Sequence, residues 1–112
     1  MRNDDLVRLR HMINAALEAM LFAKGRKRED LDEDRMLTLA LVKAIEIIGE
    51  AASKMSPELR VKHPEIPWQA ILGMRNKLVH AYFQINLDIV WLTTINELPG
   101  LIRALADIVQ SE

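Results

Sequence analysis

Residues 33–55, EDRMLTLALVKAIEIIGEAASKM, decide the fold. Leu37, Ala40, Leu41, Ala44, Ile45, Ile48, Ala51, Ala52 and Met55 recur at the three-and-four spacing of one helix face, which predicts a helix from about Glu33 to Met55. Leu39, Val42 and Ile47 lie off that stripe, so the helix is apolar on more than one side. Such a helix belongs at the centre of a bundle or against a second subunit. Gly49 costs about 1 kcal/mol relative to Ala inside a helix, so it reads as a point of close helix approach rather than an end.

The neighbours of this helix have the same character. Asn3 can cap a first helix, with Asp4 and Asp5 in its positive first turn and Gly25 as its stop. Its stripe is Leu6, Leu9, Ile13, Ala16, Leu17, Met20 and Leu21. The segment from Gly25 to Asp32 reads as a loop whose basic triplet, Arg26-Lys27-Arg28, is solvated, with RNA contact as the alternative. Ser56-Pro57 opens a short helical turn through Arg60, and Pro67 starts a third long helix that the pattern carries to about Phe83. Asn86 or Asp88 caps a last helix, kinked at Pro99-Gly100. The expected fold is all-α: an antiparallel bundle of four long helices with a short extra helix.

Composition agrees. The chain has 112 residues, enough for one domain spanning 1–112 with a modest core; half are hydrophobic but only 4% aromatic, a balance that favours helices over sheets. There is no cysteine, which removes disulfides, thiolate metal sites and thiol nucleophiles and suits a reducing cytoplasm. No apolar run approaches the roughly 20 residues of a membrane span, so a soluble, unexported protein without membrane contact is expected. A formal net charge of −1 supplies no global attraction to nucleic acid, so any RNA contact needs a local patch.

One residue resists the packing reading. Trp68, Ile71, Leu72, Arg75, Leu78, Val79 and Tyr82 share one predicted helix face, which puts Arg75 at a core position. A guanidinium cannot shed its charge and needs a carboxylate, a cleft or a phosphate there. On a regular helix Arg75 and Tyr82 lie within about 20° of each other, whereas Arg75 and His80 differ by roughly 140°. Leu72, Asn76, Val79 and Phe83 form a ridge between them. A ridge packed on its symmetry mate would bring Arg and His of two subunits to one cleft, so a homodimer is expected. Arg offers a planar charged fork for phosphate oxygens, and His exchanges protons near neutrality. With RNA supplying its own 2′-hydroxyl, that pair suffices for metal-free strand cleavage. A structural histidine beside a structural arginine has the same spacing, so spacing alone leaves both readings open.

The surrounding motifs narrow the choice. Arg75-Asn76-Lys77-Leu78-Val79-His80-Ala81-Tyr82 resembles the arginine, four residues, histidine, one residue, tyrosine pattern of the HEPN ribonucleases, in their HepT-like branch. Ile48-Gly49-Glu50-Ala51-Ala52, His63-Pro64-Glu65-Ile66-Pro67-Trp68, Gly73-Met74-Arg75-Asn76 and Val90-Trp91 extend the resemblance over nearly the whole chain. The resemblance implies an endoribonuclease in which Arg75 and His80 are catalytic, with Asn76 as their polar neighbour and Glu50 in support. It further implies a toxin of a two-gene system, neutralised when an MntA-like minimal nucleotidyltransferase transfers AMP to the tyrosine that falls here on Tyr82.

The remaining candidates read as structural. His11 and His63 have no HExxH or i,i+4 relation to another ligand, so neither a metal nor a cofactor is expected, and Trp68 and Trp91 fit core packing better than base stacking. Glu50 suits a partly buried arginine such as Arg75. The competing function is a non-catalytic helical adaptor that presents nucleotide or substrate to a nucleotidyltransferase; a purely structural dimer is a third. Neither would need Arg75 and His80.

Overall fold

The computed structural model describes residues 1–80 and 84–111, and the backbone alone at Arg75, Val79 and His80. The chain folds into an all-α bundle: α1 (Asn3–Ala23), a single turn α2 (Asp30–Glu33), α3 (Arg35–Ser53), a short α4 (Pro57–Lys62), α5 (Trp68–Leu78), α6 (Leu87–Leu92) and α7 (Leu98–Ser111), the last two joined by a π-helical turn at Thr93–Glu97. A two-residue antiparallel ladder, β1 (Val79–His80) with β2 (Gln84–Ile85), is inserted after α5.

α3 holds the central place expected of it, packed against α1 on one side and α5 on another, while α7 closes against α1. Leu41, Ile45 and Ile48 of α3 are sealed from solvent with Leu9 and Met12 of α1 and Leu105 of α7. Gly49 marks the close approach: a Cβ built there would meet the Ile71 carbonyl oxygen of α5 at 3.5 Å. The off-stripe residues divide. Val42 is buried, whereas Leu39 and Ile47 are 45% and 36% exposed, and with Met36, 83% exposed, they leave α3 an apolar strip facing solvent.

The stripe expected for α1 needs correction. Leu17 and Leu21 are exposed, and Ala15, Ala19 and Ala23 are buried in their place. These small residues lie on α1, which packs against an α3 that is itself rich in buried alanine, Ala44, Ala51 and Ala52, so beyond Leu9 and Met12 the buried line of α1 is made of alanine. Hydrophobicity scales miss this, because they rank leucine above alanine without regard to helix separation.

Side chains fix the helix ends. Gly25 takes φ +74° just beyond α1, the left-handed conformation that ends helices. Asp34 accepts the Leu37 N–H at 3.0 Å and caps α3, so the helix starts at Arg35 and Glu33 belongs to the turn before it. At the far end Arg60 donates from Nη2 to the carbonyls of Ala52 and Ser53 at 2.9 and 3.0 Å. Asp5 is buried rather than merely placed in a favourable dipole: its carboxylate accepts the Ser56 N–H at 2.9 Å and the Ser56 hydroxyl at 2.5 Å, locking the start of α1 to the start of α4. Pro99 has the expected effect by a specific route. It cannot donate to the Ile95 carbonyl and its ring crowds that group, and the chain answers with the π turn, in which the Leu98 N–H reaches Thr93 O. No described helix is long and apolar enough to cross a membrane.

Candidate active site

α5 is set in place by the residues that precede it. His63 is buried, its Nδ1 lies 3.1 Å from a Glu65 carboxylate oxygen, and its carbonyl accepts the Trp68 indole N–H at 3.0 Å. Ile66 and Trp68 are buried beside it. The two prolines of His63-Pro64-Glu65-Ile66-Pro67-Trp68 stiffen a turn whose polar groups are satisfied internally, and this fixes where α5 begins and which way it points. Both histidine and tryptophan are structural here, as expected. Trp91 is half-buried against the core.

Along α5, Trp68, Ile71 and Leu78 are buried. Arg75 lies on α5 between Ile71 and Leu78, and its side chain, with the core position expected for it, is outside the described ones. Asn76 and Lys77 are exposed.

The helix then stops. The expectation that it continues to Phe83 is wrong: α5 ends at Leu78, and Val79 pairs with Ile85 and His80 with Gln84. The reason lies downstream. Asn86 caps α6 by accepting the Ile89 N–H at 3.1 Å, and its own N–H donates to Leu78 O at 2.7 Å. The chain must reverse between Leu78 and Asn86, and a helix running to Phe83 would leave too few residues for that. β-Branched Val79 also gives up a helix cheaply. Two angular inferences fall with the helix. The roughly 140° separation of Arg75 and His80 holds only on one continuous α-helix, and so does the ridge through Leu72, Asn76, Val79 and Phe83. Tyr82 and Phe83 lie outside the described residues.

Glu50 is exposed and its Oε1 lies 3.7 Å from Lys54 Nζ. It lines a surface cleft of about 300 Å³ between α1 and α3, together with Arg8, His11, Lys43 and Glu46. Its expected pairing with Arg75 concerns a side chain outside the described ones. On the other side of α5 an apolar cleft of about 490 Å³ is bounded by Ile71, Met74 and Lys77 and by Ile89, Leu98 and Leu101. Among the described residues no three His, Asp or Glu side chains gather as a metal-ligand set.

The two arginines of the basic triplet are structural. Arg26 bonds Asp34 at 2.8 Å and Asp30 at 3.3 Å, and Arg28 bonds Asp88 at 2.7 Å with Asp32 at 3.3 Å. Asp34 raises Arg26 above its ordinary pKa, followed by Asp30, while Arg26 lowers Asp34, helped by the Leu37 N–H at the helix cap. Asp30 is lowered chiefly by the Lys27 backbone N–H. The sequence signal was present, since each Arg stands four residues before an Asp, and it marks an ion-paired turn rather than an RNA surface.

Residues 12–108 match the family described as Ribonuclease HepT-like. The chain belongs to the HepT-like ribonuclease family. A curated protein of Caldanaerobacter subterraneus subsp. tengcongensis that carries an RNase name is 40% identical over 104 residues, 93% of each chain. A protein of Thermococcus cleftensis named as a ribonuclease HepT is 40% identical over 73 residues, covering 65% of this chain and 66% of its own. A third, from Methanocaldococcus jannaschii and also carrying an RNase name, is 34% identical over 89 residues, 80% of this chain and 74% of the relative. No solved structure matches. Membership makes this chain an RNA endonuclease of the HepT-like kind, and the resemblance read from its ordered motifs is borne out.

Proposed function

We propose that this endonuclease cuts RNA without a metal, by internal transesterification, using His80 as proton acceptor and Arg75 as phosphate clamp. His80 takes the proton of a ribose 2′-hydroxyl; the 2′-oxygen bonds to the adjacent phosphorus and the bond from phosphorus to the 5′-oxygen breaks. The 5′-oxygen leaves with a proton returned from solvent, so the products are a cyclic 2′,3′-phosphate and a 5′-hydroxyl. Arg75 presents two parallel N–H donors to the phosphoryl oxygens as their charge grows.

The observation that carries this reading is the end of α5 at Leu78, between the two residues. Arg75 lies in the last turn of the helix and His80 in the strand beyond it, so the two are freed from the angular spacing that a continuous helix would impose on them. In this reading the enzyme is a cytoplasmic homodimer and the toxin of a two-gene pair, with Asn76 as polar neighbour and Tyr82 as the residue to which a nucleotidyltransferase partner transfers AMP. The exposed Met36 and Leu39 of α3 and Leu17 and Leu21 of α1 are apolar surface that a second subunit would cover.

The test is His80→Ala in a nuclease-free preparation. RNA cleavage should fall about 10²–10⁴-fold while the helical signal and the melting temperature stay those of the parent. The parent should cleave equally well in EDTA. Unchanged cleavage by the folded variant would remove His80 from the chemistry, and loss of activity in EDTA would remove the metal-free mechanism.

A further inference from the structure

The cleft between α1 and α3 has a charge arrangement that the folding of this chain does not use. α1 contributes Arg8 and His11, and α3 contributes Lys43, Glu46, Ile47, Glu50, Ala51 and Lys54. Three permanent cations stand against two carboxylates, a local charge of 3 − 2 = +1 before His11 is counted, on a protein whose net charge is −1. Among the described residues the cleft holds one ion pair, the loose Lys54–Glu50 contact at 3.7 Å. Arg8 and Lys43 make none.

Arg8 is the telling residue. Its Nε is shut off from solvent and has no acceptor. Arg28 and Arg60 also have one such nitrogen each, but Arg28 is bound to Asp88, and Arg60 to two carbonyls at the end of α3. The Arg8 guanidinium makes no hydrogen bond among the described residues, although its Nε has lost its water. A desolvated donor without a partner is costly, and because Nη1 and Nη2 of the same guanidinium are not sealed, an anion in the cleft can pair with the group there. Elsewhere this chain places aspartates against its arginines, at Arg26 and Arg28, and here it does not.

The shape of the cleft favours a chain over a point charge. Lys43 lies on α3 and Lys54 just past its end at the C-cap, roughly 15 Å apart along the helix axis, with Arg8 lining the cleft from the neighbouring helix. α3 is also the helix that carries α5: Gly49 faces the Ile71 carbonyl, and Glu50, the next residue and so about 100° round, faces the cleft. We propose that the α1–α3 cleft binds the phosphodiester backbone of a single-stranded nucleic acid through Arg8 and Lys43, a strand-anchoring site beside the helix that bears Arg75. The inference rests on the ribonuclease reading for its biological ligand, but the binding itself does not require cleavage. It also answers how a weakly acidic protein holds RNA once the two arginines of its basic triplet are tied up in ion pairs.

The experiment measures fluorescence anisotropy of a labelled ten-nucleotide single-stranded DNA against the full chain over a series of NaCl concentrations. DNA carries the same phosphates but no 2′-hydroxyl, so it reports binding without turnover. Each phosphate contact on a single strand contributes about 0.7 to the slope of log K against log salt, so Arg8→Gln with Lys43→Gln should lower that slope by about 1.4, and each single variant by about half as much. Glu46→Gln should tighten binding, a gain that a merely structural cleft would not produce. Lys27→Gln, on the ion-paired loop, should change nothing. A folded double variant with the parent's slope and affinity overturns the proposal, and so does an Arg8→Gln that only lowers the melting temperature. RNA cleavage by the parent is scored separately: failure to cleave with the slope change intact removes the ribonuclease mechanism and leaves the strand site standing.

Discussion

Replacing Asp5 with alanine tests the most consequential polar contact in the fold. The carboxylate is 4% exposed and accepts two hydrogen bonds from Ser56, at 2.9 Å from its N–H and 2.5 Å from its hydroxyl. Ser56 is itself 7% exposed and its hydroxyl oxygen is committed to the Leu59 N–H at 3.3 Å, so neither donor has water to turn to. Stranding a buried donor costs about 1–3 kcal/mol, and hydrogen bonds to a charged group sit in the upper part of the usual range. Two stranded donors, with partial relief by water entering the small void, put the loss at about 2–4 kcal/mol. Unfolding entropy of about 2.1 cal/mol/K per residue makes 1 kcal/mol worth about 4 °C in a chain of 112 residues, so the melting temperature should drop by about 8–16 °C. Asp5→Asn keeps one acceptor and loses the charge, so it should fall between the two. Circular dichroism melts and urea titrations of all three proteins give the numbers. An Asp5→Ala protein that melts within about 2 °C of the parent would refute the reasoning, because it would mean that the Ser56 donors find other partners at no cost.

Other expectations follow from the site and the loop. Arg75→Lys keeps the charge but loses the planar fork, so turnover should fall well below the parent's at saturating RNA; near-normal turnover would mean that charge alone is used. In the proposed two-gene reading, Tyr82→Phe should resist neutralisation by a nucleotidyltransferase and ATP, with mass spectrometry of the parent finding AMP on Tyr82; label found only elsewhere would remove Tyr82 from the proposed control role. The depressed Asp34 carboxyl stabilises the fold above its ordinary value of 3.8, and that contribution is lost as pH falls through the lowered folded value, so Asp34→Asn should melt lower than the parent at pH 7 and show a shallower decline on the acid side. Equal acid-side slopes for the two proteins would contradict the Arg26–Asp34 contact.

The central helix was legible because its information is local and redundant. The apolar spacing from Leu37 to Met55 and a glycine at the close approach describe one element, and the structure agrees with both apart from the end residues, where Asp34 caps the helix and starts it at Arg35. The Asp5–Ser56 lock was not legible, because its partners are 51 residues apart and an aspartate in a first turn already has an adequate local explanation. The α1–α3 cleft was missed for the same reason. Arg8 and Lys43 are unremarkable on their own helices, and only the packing of those helices shows that neither has an acidic partner among the described residues.

The end of α5 is the instructive failure, because there the periodic pattern and the chain's need to reverse gave opposite answers. Trp68 to Leu78 obeys a helical period, and Val79 and Tyr82 continue it, so periodicity alone runs the helix through the motif from Arg75 to Tyr82. Asn86 decides the matter, since the residue that caps α6 also returns its N–H to the Leu78 carbonyl, and a helix cannot both pass Leu78 and turn back to it. That competition has a chemical consequence. On a continuous helix Arg75 and His80 would need a second subunit to meet at one phosphate. With the helix ended between them, the Arg–His spacing becomes a property of a helix end and a short antiparallel ladder, and the dimer must be justified by the exposed apolar strips of α1 and α3 instead. Gln84→Pro separates these accounts, because the Asn86 N–H to Leu78 O bond makes His80–Gln84 the hydrogen-bonded pair of the ladder, and proline at 84 removes that pair's donor. If the ladder sets the site, the variant should stay folded, keep its assembly state in sedimentation and lose cleavage; if subunit contact at this segment sets it, assembly and cleavage should fall together.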